Sequence, residues 1–504
     1  MKGEGKVFFG ALVAVLAMIA IGAVSGCSRE GEAPPEASEP AGATPSEPAE
    51  MTPSEAASIE NAKMEQAQLA HAYSDAPPEV RLGARLFNDN RLTNPGAPNL
   101  STSCRTCHVP PEASNRERQY TDSTALSVIP ANALGSKQET LRNTPTLLDV
   151  TGETSFNADG EFTSLEELLE HKLTSTHLGW LPGEEDLAKD AIFALMFYDY
   201  GEDLLAEGNY LEQFKAAKGL DLETMSRDLV VAKVIESLVD YLKVVKTHNT
   251  AAYDAMVYLN RFNEGLLGEG DTPQELSGRI FGRIANQEGR VLIRFPNVYN
   301  EETYQGLKTF YRVSPTWSGS VEGMEENIGN CIACHVPPSF TDGKFHNIGV
   351  TQAEYDAAHG EGAFAGFSVE SPPAATRARV KAGDASKADL GRWNVDPSDT
   401  SFAAFMTPKL RFISQTDPYM HNGAYETLED AIRQHMKASE LAKAGTLRNA
   451  DPELLTMNIS ERDIPQLVAF LKTLEEVPVE EYRDFRIANV RIRQDPMGEQ
   501  TYDN

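Results

Sequence analysis

The sequence predicts a mainly α fold built as two related domains in tandem, on three observations. Apolar residues recur at intervals of three and four over long stretches, while strand-type alternation is scarce. Two segments recur at one offset: Thr144-Pro145-Thr146-Leu147 returns as Thr407-Pro408-Lys409-Leu410, and Asp159-Gly160 through Glu167 returns as Asn422-Gly423 through Asp430, both displaced by 263 (407−144 and 423−160). Each copy lies downstream of one of two C-x-x-C-H motifs, Cys104 to His108 and Cys331 to His335.

The periodic stretches include Leu187 to Leu205 and Met225 to Val245, both expected as helices. In each repeat a glycine-containing turn precedes a capping pattern, Ser164-x-x-Glu167 or Thr427-x-x-Asp430, and an amphipathic helix is expected to follow. Recurrence at a fixed offset marks a duplicated unit. The cysteine motifs are themselves offset by 227 (331−104), so the connection after the second is longer by 36 (263−227).

At 504 residues the chain is long enough for more than one core. A net charge of −30 argues against nucleic acid as a partner, because a phosphate backbone needs a basic footprint. It suits a basic protein partner, or serves solubility alone.

Lys2 and Lys6 precede an apolar run from Val7 to Val24, which ends in Ser25-Gly26-Cys27. That is the layout of a secretory signal ending in small residues, and it resembles a bacterial lipobox in which Cys27 becomes the acylated first residue. A single membrane span is the other reading. Both export the remainder, so the expected location is the periplasm, with a lipid anchor in the bacterial membrane, the outer membrane in the first instance. Residues 28–75 are rich in Pro, Glu, Ala and Ser and are expected to be a disordered tether in which His71 is a surface residue. The remaining plan is a first domain at 76–257, an insertion of irregular structure and short helices at 258–302, a second domain at 303–475 and an extension at 476–504.

Once Cys27 is assigned, the other four of the five cysteines fall into the two motifs. Thiols three positions apart each form a thioether with a haem vinyl group, and the adjacent imidazole then lies beneath the iron. A redox C-x-x-C has no need of the histidine, and a four-cysteine zinc site would leave both histidines unused. Two c-type haems are therefore expected, on Cys104 and Cys107 and on Cys331 and Cys334, with His108 and His335 as proximal iron ligands. The domains are expected to be cytochrome c-like.

Further motifs resemble the bacterial di-haem cytochrome c peroxidase family, which includes the MauG-type enzymes that oxidise a tryptophan on a partner protein. They are Leu82-Gly83-Ala84-Arg85-Leu86-Phe87, Arg142-Asn143-Thr144-Pro145, Phe345-His346-Asn347-Ile348-Gly349 and Pro418-Tyr419-Met420-His421-Asn422-Gly423. The resemblance covers most of the chain from about Leu82. It implies a calcium ion between the domains, held by Asn143 and by main-chain oxygens of Thr416 and Pro418; hard oxygen ligands suit that ion. As a plain turn-former before Pro145, Asn143 would need no ion. The resemblance also places the sixth ligand of the second haem fourteen residues beyond His421, at His435, with Met436 as the alternative; imidazole is the stronger iron ligand.

Around the first, peroxidatic haem the chain departs from the family. Ala158 stands where the family has a tryptophan, leaving Trp180 as a nearby aromatic candidate; His177 stands at the place of the catalytic Glu; and no histidine lies between His108 and Asn143. With an open first haem, His177 is the expected acid–base residue of a peroxidase that takes electrons through the second haem. If His177 or His171 ligates the iron instead, the protein is an electron carrier. MauG-like oxidation of a partner protein is the third reading. The expected partners are hydrogen peroxide, an electron-donor cytochrome or other small redox protein, the membrane through the lipid anchor, and a second copy in a homodimer. His248 and His359 carry no pattern, and His346 reads as structural or propionate-side.

Overall fold

The computed structural model describes residues 75–96, 102–108, 128–129, 138–203, 205–260, 272–286, 300–313, 327–368 and 373–476. The expected signal, Cys27 and the tether lie outside them. Among the described residues no helix is long and apolar enough to cross a membrane.

The first core is enclosed by α1 (Pro78–Asn88), α2 (Leu165–Leu173), α3 (Glu185–Tyr198), α4 (Tyr210–Lys218) and α5 (Arg227–Leu242). It holds Phe87, Trp180, Ile192, Phe214, Leu238 and Tyr241. Six longer helices follow among the described residues: α6 (Ala252–Leu259), α7 (Pro273–Asn286), α8 (Glu301–Tyr311), α9 (Val350–His359), α10 (Leu428–Ala444) and α11 (Ile464–Lys472). Met256, Ile280, Phe310, Phe340 and Phe470 form the second core. The strands among the described residues are short antiparallel pairs, β1 (Val128–Ile129) with β2 (Gln138–Glu139) and β3 (Phe345–His346) with β4 (Phe405–Met406). The fold is mainly α.

The duplication seen in the sequence is also a duplication of backbone geometry. Left-handed φ angles recur at the offset of 263: Asp149 (54°) with Phe412 (60°), Asn157 (64°) with Met420 (73°), and Gly160 (68°) with Gly423 (65°). The turn between them is closed by the bridge Phe156–Phe162 in one copy and by Tyr419–Tyr425 in the other. Beyond each turn the helix starts where the cap pattern requires. Ser164 Oγ accepts from Glu167 N–H (3.3 Å) and Thr427 Oγ1 from Asp430 N–H (3.1 Å), and each thereby satisfies an amide that the helix leaves open.

Each half also carries a close helix crossing over glycine. A β-carbon on Gly83 would collide with the Ser237 carbonyl where α1 crosses α5, and one on Gly306 with the Gln466 carbonyl where α8 crosses α11. Both glycines sit on the helix before a C-x-x-C-H motif, so each crossing fixes the entry to one haem segment.

Two expected boundaries are corrected. The helix expected to reach Leu205 stops at Tyr198, because Asp199 turns inward to Arg85 (2.7 Å) and Arg91 (2.8 Å). Residues from 252, assigned to the first domain as far as 257, bury Tyr253, Ala255 and Met256 in the second core. Within the 258–302 insertion, α7 is a regular helix of 14 residues whose Leu276 and Ile280 also enter that core. Apolar spacing announces such helices, yet says nothing of which core receives them.

The halves are joined by polar contacts at the repeat. Met406 N–H donates to Ala158 O (2.8 Å), and Asn143 N–H donates to His421 O (2.7 Å). Arg142 pairs with Asp159 (2.7 Å) in its own half and with Asp389 (2.7 Å) in the other.

Candidate functional site: a cavity shared by two Cys-x-x-Cys-His motifs

One cavity of about 1120 Å³ is lined by both motifs, Cys104, Cys107 and His108 on one side and Cys331, Cys334 and His335 on the other. It exceeds the roughly 300–1,000 Å³ of a pocket for one small ligand. None of these four cysteines is in a disulfide, so no S–S bond stands in the way of thioethers. Among the described residues no three His, Cys, Asp or Glu side chains converge as they would on a bare metal ion. Thiol pairs and single imidazoles around a large, mostly apolar space fit haem and do not fit zinc.

Each motif folds back on itself. His108 N–H donates to Cys104 O (2.9 Å) and His335 N–H to Cys331 O (2.8 Å), which holds each imidazole beside its own cysteines. Burial pushes both imidazoles down to about 4, so they are neutral, the form that ligates iron. His335 Nδ1–H donates to Phe340 O (3.0 Å), which leaves Nε2 as the nitrogen able to ligate iron.

On the second side, α10 presents His435 to the cavity, while Met436 packs against the second core. His435 Nδ1–H donates to Ala431 O one turn earlier (2.8 Å), and burial keeps the ring neutral. His346 is held between Asp342 (2.9 Å) and Asp451 (2.6 Å) on the same wall. Although burial opposes its charge, these carboxylates push it up to about 12, so it is a fixed imidazolium.

On the first side, His177 sits in the 3₁₀ turn Thr176–Leu178 that follows α2, and it lines the cavity. The sequence reading missed its neighbour Lys172. The Lys172 ammonium lies 3.3 Å from His177 Nε2, and His177 Nδ1 lies 3.1 Å from Ser175 Oγ. An ammonium can only donate, so Nε2 accepts and Nδ1–H donates to Ser175. Burial first, then Lys172, pushes His177 down to about 3, and burial lowers Lys172 to about 8. His171 also borders the cavity; it is exposed and leans its ring on Phe162 at 5.1 Å. Ala158 lines the cavity, whereas Trp180 is buried in the first core and does not replace the missing aromatic on that wall.

Between the sides, Asn143 Nδ2 lies 2.7 Å from Pro418 O, and Asn143 Oδ1 is buried without a hydrogen-bond partner among the described residues. Thr416 lines the same cavity. His421 stacks on Phe405 at 3.5 Å, beside the Arg142–Asp389 pair. Of the unpatterned histidines, His248 donates its N–H to Glu476 (2.9 Å) and His359 rests on Tyr355 (4.4 Å between ring centres).

Residues 77–261 match the family model described as di-haem cytochrome c peroxidase. The methylamine utilization protein MauG of Methylorubrum extorquens is 26% identical over 402 residues, 80% of this chain and 79% of that one. The cytochrome-c peroxidase IdrP2 of Denitromonas iodatirespirans is 22% identical, covering 83% of this chain and 87% of its own. Among solved structures, the dihaem peroxidase BthA of Burkholderia thailandensis aligns with 80% of this chain and 88% of its own, at 17% identity and a TM-score of 0.47. With two haem-attachment motifs on one cavity, a family model matched by residues 77–261, and the MauG and IdrP2 relatives aligned over most of its length, the chain is similar to the di-haem cytochrome c peroxidases.

Proposed function

We propose that the protein reduces hydrogen peroxide at the first haem with electrons delivered through the second. The observation that carries this reading is the inequality of the two sides. His435 has an uncommitted Nε2 on the cavity wall, whereas both ring nitrogens of His177 are already engaged by Lys172 and Ser175. A carrier with two six-coordinate haems would need a second imidazole at the first iron, and His171, although it borders the cavity, is exposed and leans its ring on Phe162. Bound haem supplies the electron exchange and the iron at which the O–O bond is broken. The chain's own groups do the rest. His108 and His335 hold the proximal positions, the apolar walls limit water, and Lys172, positioned by His177, places N–H donors and a proton reservoir on the first side.

Calcium between the halves is part of this proposal. Turning the Asn143 amide over would set Oδ1 against the Pro418 carbonyl, and two facing oxygens are favourable only with a cation between them. We further propose that the chain is exported and lipid-anchored at Cys27 in the periplasm, that a basic small redox protein feeds the second haem, and that the protein works as a homodimer. Small residues before Cys27 and the charge of −30 support the first two of these readings. The relative named MauG keeps oxidation of a partner protein as the second reading.

The test is stoichiometric. Fully reduced holoprotein, mixed anaerobically with one equivalent of hydrogen peroxide, should lose both electrons, one from each haem, and yield two waters with uptake of two protons. Peroxide left unconsumed would exclude the proposal.

A further inference from the structure

The helix after the repeated turn carries His435 in the second half, and the repeat offset assigns its counterpart in the first half to Lys172 (435−263). The structure preserves that equivalence. Both helices start at matched capped positions, Leu165 and Leu428 (428−165 is again 263), and both side chains line the shared cavity. The position that presents an imidazole to the second haem therefore presents an ammonium on the first side.

That ammonium is held in a defined way. Among the described residues its side-chain hydrogen bond is to His177 Nε2 (3.3 Å), and Glu161 and Asp159 act on it only through space, without an ion pair. His177 cannot swing aside freely, because its Nδ1 is tied to Ser175 at 3.1 Å. A primary ammonium carries three donors. One of them is on His177, which leaves the others for the cavity.

We propose that the outer face of the first haem is an anion site, with Lys172 as its charge and His177 as the residue that positions it. Small anions such as hydroperoxide, azide or fluoride bound there receive a charge-assisted hydrogen bond that a neutral ligand does not. Lys172 thus stands where the second domain has its iron ligand, and it recruits the exogenous ligand instead. This inference rests on an open first site, as in the function proposed above.

The experiment is an optical titration of the oxidised holoprotein with azide, fluoride and neutral imidazole, for wild type, Lys172→Met, Lys172→Gln and Lys172→Arg. Wild type should bind all three. Lys172→Met and Lys172→Gln should weaken azide and fluoride by about tenfold or more, the scale of one hydrogen bond to a charged group, and leave imidazole unchanged. Lys172→Arg should retain most of the anion affinity. Using both Met and Gln keeps the comparison independent of how well either variant folds. Equal anion affinity in wild type and Lys172→Gln would overturn the role of Lys172 while leaving the open site intact. No binding of any ligand by wild type would overturn the open site itself. If ligands then bound only after Lys172 was replaced, Lys172 would be an iron ligand, which also contradicts the proposal.

Discussion

His435 Nδ1 lies 2.8 Å from the carbonyl oxygen of Ala431, one helical turn earlier on α10. The bond fixes the tautomer, since a carbonyl accepts only from Nδ1–H, and so the lone pair on Nε2 faces the cavity. His435→Met should keep the second haem six-coordinate while raising its reduction potential by on the order of 0.1 V, a fraction of the roughly 0.8 V that axial ligands span. A spectroelectrochemical titration reads this directly. An unchanged potential would mean that His435 is not the ligand.

His177 is engaged at both nitrogens, by Lys172 at 3.3 Å and by Ser175 at 3.1 Å. As the residue that positions the Lys172 ammonium, the group of the pair with a proton to give, it should be worth about a hundredfold in the rate of reaction with peroxide. His177→Ala should show that loss in stopped-flow mixing, with the spin state of the first haem unaltered. A low-spin haem that became high-spin on this substitution would assign His177 to the iron.

Gly83 and Gly306 let α1 and α8 touch the backbones of their partner helices. Adding one methyl at either position forces the helices apart, and overpacking of this kind costs about 1–3 kcal/mol. Gly83→Ala and Gly306→Ala should each lower the thermal midpoint, whereas Gly152→Ala, which has open space around it, should not. Calorimetry of the three variants decides the point.

The imidazolium of His346 between Asp342 and Asp451 gives a pH dependence of known sign. Its folded pKa is raised, to about 12, so its stabilisation is complete below the unfolded value of about 6.5 and fades as pH climbs from there toward 12. Asp342 is depressed in the folded state, so its share is lost as pH falls through the acid range. Wild type should therefore exceed His346→Gln most, by about 2 kcal/mol, near pH 5 to 6, with the gap closing toward alkaline pH. Denaturant melts at pH 5.5 and 9.5 measure it, and a gap that widened with pH would contradict the pairing.

Much of this was legible in the sequence because it is written locally. The two C-x-x-C-H motifs, the offset of 263 and the caps at Ser164 and Thr427 are short-range patterns, and the structure reproduces the repeat down to single φ angles. The destination of α6 and α7 was not legible, since an apolar helix face fits either core and only tertiary packing into the cluster that holds Phe340 and Phe470 decides it. Lys172 was missed for a different reason. A search for ligands looks for histidine and methionine, and although the offset from His435 pointed at position 172, a lysine there reads as a solvated surface residue until the fold turns it into the cavity.

The proposed unequal coordination of the two haems is tested most directly by the electron paramagnetic resonance spectrum of the oxidised holoprotein. An open first site beside a His335/His435 second site predicts one high-spin and one low-spin ferric haem in equal amounts. Two low-spin signals, together with no reaction on adding peroxide, would contradict it.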